Sequence, residues 1–129
     1  MQQQTVAVET LSTGQGIPRA QWARFLEHLS QEHRGERATL ELRNPDSGDP
    51  VVVHYRRFRM IAADEDYGLD RITIVVENPS GNAMMHTISK ATQVQFADAL
   101  RSALTTLTIA TMSGTVAVLR FSQLETPGQ

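Results

Sequence analysis

Residues 17–42 read IPRAQWARFLEHLSQEHRGERATLEL, and inside them the apolar spacing changes from a helical period to a strand period. Trp22, Phe25, Leu26, Leu29 and His33 recur at steps of three and four, the spacing that lines one face of an α-helix. Pro18 suits a first helical position, where its missing N–H would have no helical partner anyway, and Gly35 can take the left-handed conformation that stops a helix. The spacing therefore predicts a helix from Pro18 to Arg34. Beyond Gly35, Ala38, Leu40 and Leu42 alternate with Arg37, Thr39, Glu41 and Arg43, which predicts a half-buried strand. An amphipathic helix that runs straight into a strand sets the expected class as α+β.

The rest of the chain adds strands to this start. NPDSGDP (44–50) is dense in turn formers and leads into a β-rich run from Val51 to Ala62. In that run Arg57 and Arg59 share parity with Val51, Val53, Tyr55 and Ile61, a conflict that a β-bulge would resolve. After the acidic loop DEDYGLD (64–70), Ile72, Ile74 and Val76 form an inward row, and NPSGN (78–82) closes the strand. Met84 to Phe96 reads as one long extended stretch, while Ala97 to Leu104 fits strand and helical turn equally. Thr105–Thr111 and Thr115–Phe121 flank MSGT, a tight hairpin around Ser113 and Gly114. The connections are too short for parallel crossovers. The expected architecture is one N-terminal helix packed on a curved, mostly antiparallel sheet, or partly open barrel, of about six strands. It divides the chain into a polar lead-in at 1–16 with a short strand at Thr5–Thr10, one α+β domain at 17–122, and a tail at 123–129.

Composition bounds function only loosely. The 129 residues fit one domain, and 40% hydrophobic residues supply a core. A net charge of −2 gives no overall field to collect nucleic acid. The absence of cysteine excludes disulfides and thiolate chemistry. The start, MQQQTVAVETLSTGQG, has neither the basic residues nor the apolar run of a signal peptide or anchor, so the chain reads as cytoplasmic.

Several residue groups have the composition to carry chemistry. His28 and His33 stand five apart on the helix and point about 140° away from each other, so they cannot grip one metal ion. His33 lies within about 20° of Trp22 on the wheel and should face the sheet, donating to helix-end carbonyls, while His28 is solvated. Trp22, His33 and Gly35 are accordingly expected to be structural. A three-histidine site from His33, His54 and His86 lacks any paired spacing, so no metal and no cofactor is expected. Glu36 and Glu41, five apart, fall on opposite faces of a strand and read as solvated charges rather than an acid/base pair. HYRRFR (54–59) interleaves Arg56, Arg57 and Arg59 with Tyr55 and Phe58. That composition fits weak nucleic-acid binding, but ion pairs with Asp64, Glu65, Asp66 and Asp70 explain it better. Ser113–Gly114 has no nucleophile-elbow or phosphate-loop pattern around it and reads as a turn.

Three stretches, IPRAQWARFLEHLSQEHRGERATLEL, HTISKATQVQF and LTIATMSGTVAVLRF, resemble the recurrent blocks of a bacterial domain-of-unknown-function family, number 5335, over roughly Ile17 to Phe121. That family has no established activity. The resemblance therefore implies no catalytic residue and no cofactor.

One segment points to partners. Residues 102–119 carry no charge, although the hairpin within them presents Thr105, Thr108 and Thr111. Soluble proteins guard exposed strand edges with lysine, proline or bulges, and this hairpin has none. Its strands must be central in the sheet or paired with another chain, as a homo-oligomer or with a protein partner. The sequence is best read as a non-catalytic binding or protein-interaction module, with Thr105, Thr108, Thr111, Arg56, Arg57 and His86 as candidate contact residues. The enzyme reading is a small hydrolase or isomerase using His86 or His33. A pocket joining histidine to carboxylate would favour the enzyme, and a flat threonine-rich sheet face would favour the module.

Overall fold

The computed structural model describes residues 15–46, 48, 50–55, 57–64, 70–98 and 104–122. The expected strand at Thr5–Thr10, Arg56, the centre of the acidic loop and residues 99–103 lie outside them.

Pro18 stands just ahead of a 3-10 turn, Arg19–Gln21, that leads into helix α1, Trp22–His33. The predicted face is the buried one: Trp22, Leu26, Leu29 and His33 are inside, with Phe25 packed against the core. The Trp22 indole Nε1 donates to the Ile17 carbonyl at 2.9 Å, which fixes the entry to the helix. Gly35 takes φ +92°, the left-handed stop that the sequence implied. Its N–H donates to the Phe58 carbonyl at 2.8 Å, and the Phe58 N–H donates to the Glu36 carbonyl, so the helix end is tied to a strand.

The strands form two antiparallel sheets. The large one has the order β1-β7-β8-β9-β2-β3, made of Gln15–Gly16, Ala91–Asp98, Leu104–Thr111, Val116–Ser122, Arg37–Arg43 and Val51–Tyr55. The small one has the order β4-β5-β6, made of Arg57–Asp64, Arg71–Glu77 and Ala83–Ile88. The expected α+β class with a six-stranded antiparallel sheet holds, no barrel closes, and the three-stranded sheet is the addition. Leu40, Leu107, Ile109, Leu119 and Phe121 of the large sheet share one core with Phe58, Ile61, Ile72, Ile74 and Val76 of the small sheet. Phe58 and Phe121 meet edge-to-face across that core, with ring centroids 4.7 Å apart.

The chain passes between sheets twice, and both passages are short. Only residue 56 separates β3 from β4. The parity conflict in this run is resolved by a bulge between Phe58 and Met60, which lets Phe58 and Ile61 both face inward. The second passage corrects the expected single stretch from Met84 to Phe96. The chain breaks at Ser89 and Lys90, where Lys90 takes φ +56°, and β6 and β7 belong to different sheets. Ala97 and Asp98 complete β7 rather than opening a helical turn.

Helix α1 covers the outer edge of β4, and one serine makes the join. The Ser30 hydroxyl accepts from the Ile61 N–H at 2.9 Å, and it lies 2.9 Å from both the Ile61 and the Leu26 carbonyl oxygens to which it can donate. Lower down, Arg34 Nε reaches the Arg59 carbonyl. An edge strand that would otherwise offer unpaired backbone groups to another chain is thereby satisfied within the molecule.

Candidate functional site

Strands β8 and β9 form the predicted hairpin, and it is central. β8 pairs with β7 and β9, and β9 pairs with β8 and β2, so the first of the two alternatives explains the missing edge guards. Its threonines do not gather on one face. Thr105 is buried at the inner surface beside Leu107 and Ile109, and Thr108 is half-buried on the outer surface. At the hairpin tip, the Thr111 hydroxyl donates to the Thr115 carbonyl at 2.8 Å. The other candidates lie elsewhere. Arg57 is exposed on β4, opposite Glu77, and His86 sits half-buried on β6, opposite Ile74.

Within the basic run, Arg59 takes a different partner from the one expected, while Arg56, Glu65 and Asp66 lie outside the described residues. Arg59 pairs with Glu77, while Asp64 pairs with Arg71 and Asp70 with Arg19. The bulge at Arg59 places its side chain over β5 instead of the acidic loop.

His33 is built into the core. Its ring stacks on Phe121 at 4.5 Å with an interplanar angle of 12°, and its Nδ1 lies 2.9 Å from Glu36 Oε1. The expected backbone-carbonyl acceptor is thus replaced by a carboxylate. Glu36 in turn is half-buried, not a solvated charge, because the turn at Gly35 folds it back over the helix end. A histidine and a carboxylate do meet here. They meet under a phenylalanine ring, and neither lines the groove between α1 and β4 or the smaller cleft beside Trp22. His28 is exposed and faces Glu32 one turn on, as the wheel predicted.

Glu41 also departs from the expected solvated charge, and sequence reasoning had no signal for it. It points to the outer face of the large sheet with only 6% of its surface exposed. Arg120, across on β9, donates from a terminal guanidinium nitrogen to Oε1 at 2.8 Å, and Arg43 Nε donates to Oε2. These hydrogen bonds, the Arg120 one foremost, hold the Glu41 carboxyl below the usual carboxylate range despite its burial. The cross-strand register gives the triad a mixed surround: Glu41 lies opposite Val118 and Val52, and Arg43 opposite Val116, while Arg120 lies between two threonines. Thr39 lies opposite Arg120, Arg120 opposite Thr106, Val118 opposite Thr108, and Thr108 opposite Gln95. Arg37, at the start of β2, is exposed on the same face.

A second surface feature lies on the other side of the molecule. An open groove of about 330 Å³ runs between α1 and β4, lined by Glu27, Gln31 and Arg34 from the helix and Met60, Ala62 and Ala63 from the strand. It contains no histidine.

Among the described residues no group of three His, Cys, Asp or Glu side chains is placed to hold a metal ion, and no helix is long and apolar enough to cross a membrane. No curated protein and no solved structure matches the chain. A family model does, over residues 13–127, which takes in every described element and all three blocks that resemble the family. The chain belongs to the family of unknown function DUF5335.

Proposed function

We propose that this chain is a non-catalytic binding module that holds a protein partner against the outer face of its large sheet. The observation that carries this reading is the composition of that face. An arginine–glutamate–arginine triad sits there among Thr39, Thr106, Val116 and Val118, with Thr108 and Gln95 on the strands beyond, and helix α1 packs on the opposite sheet. Such a surface offers many adaptable hydrogen-bonding groups on a rigid frame, the mixture typical of recognition surfaces. The histidine and carboxylate best suited to acid–base chemistry, His33 and Glu36, are committed to packing the helix end.

The test is co-purification from the producing cells of the wild type and of Thr108→Trp, which places a bulky ring in the middle of the face. A companion protein should travel with the wild type and be lost from the variant. A second copy counts as a partner and would appear by light scattering as a dimer that Thr108→Trp dissolves. Urea melts establish that the variant remains folded. A chain that travels alone as a monomer, or keeps the same companions in both forms, would sink the reading.

A further inference from the structure

Resting on that reading, we infer that the partner is an acidic polypeptide segment whose carboxylates reach the guanidiniums of Arg37, Arg43 and Arg120. The chain as a whole carries a net charge of −2, yet three guanidiniums share the outer face of the large sheet with one carboxylate among the described residues. The surplus of positive charge is therefore local, and it lies on the face that also carries Thr39, Thr106, Thr108 and Gln95.

Glu41 takes only part of what the arginines offer. Each guanidinium has five N–H donors in a fixed fork. Glu41 accepts from Arg43 through Nε and from Arg120 through one terminal nitrogen, so donors remain on both. Arg43 keeps 59% of its side chain exposed and Arg120 keeps 33%, which leaves those donors within reach of a ligand. The ionised Glu41 also holds both arginines in place, so an incoming carboxylate meets guanidiniums already ordered and less side-chain entropy is lost. Thr106 and Thr108 stand beside them to donate to the same carboxylates or to the backbone of an extended segment.

Nucleic acid is the other polyanion such a surface would attract. It binds through aromatic rings that stack bases as well as through cations, and among the described residues of β2, β7, β8 and β9 no outward position holds Phe, Tyr or Trp, with His54 on the edge strand β3. The face suits carboxylates spaced along a peptide.

The experiment uses fluorescently labelled poly-L-glutamate as the probe, followed by anisotropy at low and at physiological ionic strength. The wild type should bind, and more weakly as salt rises. Arg43→Gln and Arg37→Gln, both at exposed positions, should each weaken binding by about fivefold. A wild type that ignores poly-L-glutamate would overturn the inference, as would binding indifferent to Arg37 and Arg43, or tighter binding of oligothymidylate. Failure here is separable from failure of the binding-module reading. A companion that Thr108→Trp loses but Thr108→Glu retains would show that the face binds and that its partner is not acidic.

Discussion

Replacing Ser30 by alanine removes one oxygen and tests how the helix holds the edge of the small sheet. Ser30 is 5% exposed, and its hydroxyl is the acceptor for the Ile61 N–H. Without it that buried donor has no partner, which costs about 1 to 3 kcal/mol. The bond donated by the hydroxyl to Ile61 or Leu26 is worth about 1 kcal/mol net. Alanine is the better helix former and returns about 0.5 kcal/mol. The balance predicts a loss of about 2.5 kcal/mol, or roughly a 1 M fall in the urea midpoint for a protein of this size. Ser113→Ala, at an exposed turn, should stay within about 0.5 kcal/mol and serves as the reference. Equilibrium urea unfolding followed by Trp22 fluorescence measures both. If Ser30→Ala melts with the wild type, the hydroxyl is not what secures β4, and helix packing alone holds the edge.

Three further outcomes follow from the same structure. His33→Ala should cost about 2 kcal/mol through the lost ring stack on Phe121 and the unpaired Glu36, whereas His28→Ala should stay within about 0.5 kcal/mol; urea melts that reverse this order would refute the structural role of His33. Because the folded state lowers the Glu41 pKa below its ordinary value of 4.5, the stability it contributes is complete above that value and is lost as the pH falls through the lower folded-state value. The stability gap between the wild type and Glu41→Gln in urea melts should therefore shrink between pH 7 and about pH 3, and a gap that widens in acid would show the sign to be wrong. Gly114→Ala should cost about 1 to 2 kcal/mol, since Gly114 takes φ +95° and a Cβ there would stand 3.1 Å from Pro45 Cγ; a thermal melt unchanged from the wild type would contradict this.

What the sequence disclosed was local. Trp22, Leu26, Leu29 and His33 announce a helix face because helical spacing is written within a few residues, and Gly35 announces its end. The same holds for the parity conflict at Arg57 and Arg59, which located a bulge before any pairing was known. Sheet membership is a matter of distant partners. Val51–Tyr55 and Arg57–Asp64 have similar composition and lie one residue apart, yet they belong to different sheets. The break at Lys90 was hidden because a lysine in left-handed conformation leaves no mark on a hydrophobic pattern. The outer-face triad was hidden because its partners are distant: Glu41 and Arg120 are 79 positions apart, and a charged residue on an alternating strand looks solvated until its partner is known. Ser30 shared that fate, as a polar residue whose acceptor and donor lie on a strand 31 positions away.

The place of β9 in the large sheet sets the order in which the molecule can be assembled. It lies between β8, its neighbour in the chain, and β2, the first strand after the helix. Until β9 has been made, the β2–β3 hairpin and the β7–β8 hairpin have nothing to join them, and the inner face that would cover the small sheet is in two pieces. The wedge also supplies Phe121, which touches both His33 and Phe58 and so brings helix, small sheet and large sheet together in one step. Pairings this remote close slowly, because the intervening chain must lose its freedom before any contact compensates for it. A nascent chain lacking β9 would thus present two open strand edges, on β2 and on β8, and would be exposed to chaperones and to its own copies until the wedge goes in.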